Sequence, residues 1–88
     1  MGKILDNITL LEKSLGDIQS DLSDGKSGSA AIRWTSAKKI HGYYVDDKKK
    51  ASGKSLNLFK QAKILKFDSE WKAFKAKYGG ALDALANM

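Results

Sequence analysis

Neither cysteine nor proline occurs anywhere in the 88 residues of this chain. Without cysteine there can be no disulfide, no thiolate metal site and no cysteine nucleophile. A chain of this length usually carries about four prolines, and their absence leaves long helices uninterrupted. His41 is the single histidine, so one chain cannot assemble a zinc site of the usual kind. No run of about 18 apolar residues is present to cross a membrane, and no membrane insertion is expected. The start Met1-Gly2-Lys3-Ile4-Leu5-Asp6 lacks the apolar core of a secretion signal. Asp6 stands where a myristoylation motif wants Ser or Thr. The sequon Asn7-Ile8-Thr9 matters only in a secreted chain and is read as chance. The expected location is the cytoplasm, or the inside of a viral particle, and no cofactor is expected.

Of what is present, hydrophobic residues make up 42% and charged residues 30%, an ordinary globular composition. The length suits one domain over residues 1–88, burying only about 60–65% of its unfolded surface. So thin a core can lean on a partner subunit. Charge is spread unevenly. Residues 1–25 hold two lysines against five carboxylates, a net of −3. Residues 26–78 hold thirteen lysines and Arg33 against four carboxylates, a net of +10. An acidic first element followed by a basic body suggests polyanion contact by the basic part, or self-association of opposite ends.

Residues 3–22 form the clearest element. Ile4, Ile8, Leu11, Leu15, Ile18 and Leu22 are spaced 4, 3, 4, 3, 4, a helical stripe over nearly three heptads. The Gly- and Ser-rich segment 23–29 is a turn, with Ser27 or Ser29 as cap of the next helix. Residues 29–45 form a second helix with Ala30, Trp34, Ala37, His41 and Tyr44 on one face, and Ile32, Ile40 and Tyr43 on another. Apolar on two faces, it should be the most buried helix. A strand through Gly42-Tyr43-Tyr44-Val45 is the alternative for its end. Residues 46–54 form a polar loop. A third helix, 55–67, puts Leu58, Ala62 and Leu65 on one face with Phe59 beside them. A fourth, 69–78, starts at a cap on Asp68 or Ser69, aligns Trp71, Phe74 and Tyr78, and ends at Gly79. Leu82 and Leu85 can pack one further turn, with Asn87 and Met88 frayed. The expected fold is an all-α bundle of about four segments in which helices 1 and 2 make an antiparallel hairpin.

Motifs that could carry chemistry are weak. Gly25-Lys26-Ser27 and Gly53-Lys54-Ser55 match the end of a phosphate-binding loop, but Ser20 and Lys48 stand where its first glycine belongs, and no strand precedes either triplet. His41 has no activated serine or nucleophile elbow beside it and reads as a packing residue. Asp46-Asp47 precedes three lysines and reads as a self-neutralising surface rather than an acid–base pair. The aromatics fall at helical spacing, which favours core packing over base stacking. Fifteen lysines accompany a single arginine. Lysine is a point charge suited to phosphates, so nucleic-acid binding would have little sequence specificity and depend on salt. Lys38, Lys39, Lys48, Lys49, Lys50, Lys54, Lys60 and Lys63 are the residues that would carry it.

The stripe Ile4, Ile8, Leu11, Leu15, Ile18, Leu22 is either a core face or a seam to a second chain. Its flanking positions offer no complementary charge pattern for a coiled coil, which favours packing within the chain. The functional expectation is a non-enzymatic helical interaction protein that binds another protein or itself through amphipathic helix faces. Structural, phage-encoded or immunity-like subunits offer a comparison of size and class only. The alternative is low-specificity nucleic-acid binding by the lysine-rich 26–78 segment.

Overall fold

A computed structural model describes residues 3–51 and 58–87, and among these all but the short link at residue 26 are helix or turn. Helix α1 spans Lys3–Ser23 and α2 spans Ser27–Ala51. Helix α3 spans Leu58–Phe74 and runs through a wide π turn, Lys75–Gly79, into α4, Gly80–Ala86. The molecule is a small all-α bundle, a rod of 43 × 21 × 21 Å.

The stripe of α1 builds the hairpin. Ile8, Leu11, Leu15 and Ile18 are buried, while Ile4 and Leu22 are half-buried beside them. Opposite them α2 presents Ala30 and Ala37, whose small side chains let the two backbones approach closely. Polar pairs fix the antiparallel register at both ends. Asn7 Nδ2 donates to Asp47 Oδ2 at 3.2 Å, and Arg33 Nε donates to the buried Asp21 at 2.8 Å.

Between the two helices the chain reverses in three residues. Gly25 takes φ = +75°. The Lys26 N–H reaches back to the Asp21 carbonyl at 2.8 Å, and the Gly25 N–H to the Leu22 carbonyl at 3.2 Å. These two bonds define a Schellman ending, which satisfies the last carbonyls of α1 and aims the chain back. The Lys26 carbonyl then accepts the first bond of α2 from Ala30 at 3.0 Å. Ser27 and Ser29, expected as caps, are therefore already inside the helix.

Helix boundaries differ from the sequence expectation in three places. First, α2 extends past residue 45 through Asp46–Lys50, where a polar loop was expected, and the strand alternative at 42–45 is not formed. Lys48, Lys49 and Lys50 sit in its last turn, where cations complement the helix dipole. Second, the expected segments 55–67 and 69–78 are one helix across Asp68 and Ser69. Asp68 does not cap anything, because its carboxylate is taken by Tyr44 and Lys48 of α2. Third, Gly79 does not end the helix, since its backbone and that of Gly80 stay helical. The beginning of the expected third helix, residues 55–57, lies outside the described residues.

The π turn changes which side chains face α2. In an unbroken helix Asp83 would lie about 160° around from Phe67; one extra residue in a turn sets it back by about 100°. Leu82 then enters the core at 1% exposure, and Asp83 reaches Trp34. Gly79 passes directly beneath that indole. A Cβ there would meet Trp34 Cζ2 at 3.4 Å and Lys75 Cγ at 3.0 Å.

Gly16 and Gly25 form a matched pair for a stability test, because a Cβ at either meets nothing within 4 Å. Only the backbone differs. Gly25→Ala forces a side chain into the left-handed region and should destabilise by about 1 kcal/mol, lowering Tm by roughly 4–8 °C. Gly16→Ala, in mid-helix, should raise stability by about as much. Thermal unfolding followed by circular dichroism reads both signs.

Candidate interaction surface

Large rings, rather than close backbones, join α3 to α2. Trp34, with 0% exposure, stacks on Trp71 at 5.1 Å between centroids and 20° between planes, with Phe74 at 5.6 Å. His41 lies flat on the other part of the Trp71 surface, at 4.1 Å and 4°. Tyr44 meets Phe67 edge-on at 5.2 Å. Rings of this size hold the two backbones apart along most of their length. Trp34, Tyr44, Trp71 and Phe74 are thus core residues, and none offers a face to a nucleic-acid base.

Polar groups inside this layer are paired. Trp34 Nε1 donates to Asp83 Oδ1 at 2.8 Å, and the Lys38 ammonium bonds the same oxygen. Those two donors hold the Asp83 carboxyl below the usual carboxylate range. The Tyr44 hydroxyl donates to Asp68 Oδ1 at 2.8 Å, and Lys48 Nζ to Oδ2 at 2.9 Å. Burial, then the Asp68 carboxylate, pushes the Tyr44 hydroxyl pKa well upward. His41 is shifted down, first by burial and then by Lys48 and Lys75, against an opposing pull from Asp68. The imidazole is therefore a neutral ring in a stack.

The lysines expected to meet a polyanion divide into two groups. Lys38 and Lys48 brace the fold, each bonded to a carboxylate and lying over a ring, Trp34 at 5.9 Å and Tyr44 at 4.9 Å. Lys39, Lys49 and Lys50 are exposed, and Lys60 and Lys63 half-buried. Lys54, with the second Gly-Lys-Ser triplet, lies outside the described residues. The Lys48–Asp68 bond sets the last turn of α2 beside α3, so Lys48, Lys49, Lys50, Lys60 and Lys63 gather at one end of the rod. Lys39 stands about 15 Å further along α2, ten residues of helical rise away. Arg33 faces α1, bonded to Asp21 and Asp17.

The partner face expected on α1 is used inside the chain: its four central residues are covered by α2 and α3. The uncovered apolar face lies on α3 instead. Leu58, Phe59 and Leu65 are 82%, 63% and 71% exposed, and Ala62 between them is exposed too. Their shared face is legible in the sequence, but it points outward because Phe67, Trp71 and Phe74 turn the opposite side to the core. On α2 the second apolar strip is covered only at Ile40, which packs half-buried against the core, while Ile32 is 71% and Tyr43 57% exposed. Between α1 and α3 runs an open groove of about 450 Å³, floored by Leu15, Phe74 and Tyr78 and rimmed by Glu12, Gln19, Glu70 and Lys77. Gly16 leaves the space above its part of α1 open.

Comparison with family models, curated proteins and solved structures finds no match to this chain. Its class therefore rests on the fold, that of a small all-α helical bundle.

The His41 stack predicts a pH dependence. The unfolded imidazole takes a proton near pH 6.5, whereas the folded one resists it. Stability should fall as pH drops below about 6.5 and level off once the folded imidazole is also protonated. His41→Phe keeps a ring on Trp71 and should remove this step in urea titrations run across pH 5–7.

Proposed function

We propose that the protein is a non-enzymatic interaction protein whose helical scaffold presents the start of α3 to another protein or to a second copy of itself. One observation carries the reading: Leu58, Phe59, Ala62 and Leu65 form a continuous outward ridge, whereas the other exposed large apolar side chains among the described residues, Leu10, Ile32 and Tyr43, stand apart from one another. Exposed leucine and phenylalanine in one contiguous patch mark a contact surface. The scaffold is tied close to the ridge, since Tyr44 and Lys48 of α2 both bond Asp68 one turn beyond it.

The test compares wild type with the double variant Leu58→Gln/Leu65→Gln. Both side chains are solvent-facing, so Tm should change little. Binding of a partner identified with the wild-type protein, then titrated with purified components, should weaken tenfold or more. Leu10→Gln, on an exposed leucine of α1, should bind as wild type. Equal binding by the double variant would refute the ridge as the contact.

The lysines favour a second reading, polyanion binding without sequence specificity. Seven lysines and no carboxylate occur over residues 48–67, and the described ones lie at the same end of the rod. Lys49→Ala/Lys50→Ala leaves the Lys48 brace intact. It should lower affinity equally for unrelated oligonucleotides and make the salt dependence shallower. Unchanged oligonucleotide binding would remove this reading.

A further inference from the structure

Helix α4 is fastened to the bundle by few contacts. We infer that it is a releasable strap, opening as one unit about the turn at Lys75–Gly80 while α1, α2 and α3 stay folded. The Asp83 carboxylate is its clasp, at the end of α3 opposite the ridge.

The attachment is slight. Leu82 of α4 is buried and Leu85 half-buried, and the rest of its apolar side chains are exposed. Seven residues are too few to hold a helix on their own, so α4 is helical only while it is docked. The dock is not sealed. An open cleft of about 340 Å³ runs between Leu85 of the strap and Ala31, Ile32 and Thr35 of α2. The clasp is open to water too, since the side chains of Asp83 and Lys38 are 41% and 42% exposed. When the strap leaves, water replaces Asp83 as acceptor for Trp34 Nε1, so opening strands no buried donor.

The turn before the strap is weak. π turns are rare inside helices and recur at functional sites. Gly79 is dictated by the indole above it, but Gly80 is not. A Cβ at Gly80 meets nothing within 4 Å, and the backbone there is ordinary helix, with φ −62° and ψ −45°. Alanine would fit, and glycine holds that conformation less firmly. Opening uncovers Ala31 and the Nε1 edge of Trp34, and joins them to the exposed Ile32 as an apolar surface on α2. Segments that open locally in this way are the ones a protein uses for switching.

Hydrogen exchange of the whole protein, followed residue by residue by NMR as urea is raised, tests the strap. The amides of residues 82–87 should exchange together, at least tenfold faster than those of residues 34–44. Their exchange should depend little on urea, because opening exposes little surface. Asp83→Asn keeps an acceptor for Trp34 but loses the charge that Lys38 binds, and should speed α4 exchange about tenfold. Gly80→Ala should slow it about fivefold. Gly16→Ala, on α1, should slow the amides that exchange only on global unfolding and leave α4 as in wild type. If α4 exchanges only with the whole molecule, with the same urea dependence and the same response to Gly16→Ala, the inference is overturned. It is overturned as well by protection that declines steadily from Leu82 to Asn87, which is fraying, and by an Asp83→Asn variant whose α4 exchanges at the wild-type rate.

Discussion

Trp34 carries the polar atom on which the rest of the tertiary arrangement turns. Its indole is sealed from solvent in the middle of the bundle, and a buried N–H left without an acceptor is costly. The acceptor is a carboxylate from the far end of the chain, Asp83. Bringing Asp83 there takes the wide turn after Phe74, and the passage beneath the ring takes a glycine at 79. Lys38, one turn along α2, shares the same carboxylate and screens it. The π turn, Gly79, α4 and one lysine of the basic body are all consequences of seating a single indole.

The second layer follows the same logic at the other end of the rod. Tyr44 is buried, so its hydroxyl needs a partner, and Asp68 supplies it while Lys48 balances the charge. These two clusters pin α4 and α3 to α2 at two heights, with Trp71 and His41 stacked between them. A core this dependent on aromatic area gains burial from few residues. The scaffold beneath the α3 ridge is consequently held by specific pairs, while the ridge itself faces solvent.

The same pairs divide the lysines that the sequence singles out. Of the eight lysines picked out by sequence, Lys38 and Lys48 neutralise carboxylates that the buried rings demand, and only a subset gathers at one end. The apolar ridge is visible as spacing, yet spacing alone does not say whether it is covered. Nothing in residues 58–65 by themselves says which side of the helix will be covered, since that is decided by Phe67, Trp71 and Phe74 further on.

What the sequence determined by itself was the local chemistry. The 4, 3 repeat of α1, the Gly25 reversal and the lack of proline made an all-α hairpin legible, because helix periodicity and left-handed backbone act over a few neighbours. Only the tertiary structure decided where helices stop. Asp68, Ser69 and Gly79 look like boundaries in isolation, but contacts from α2 outweigh a capping preference of about 1 kcal/mol. It also decided which apolar face is covered, because burial belongs to pairs of helices and not to either one alone.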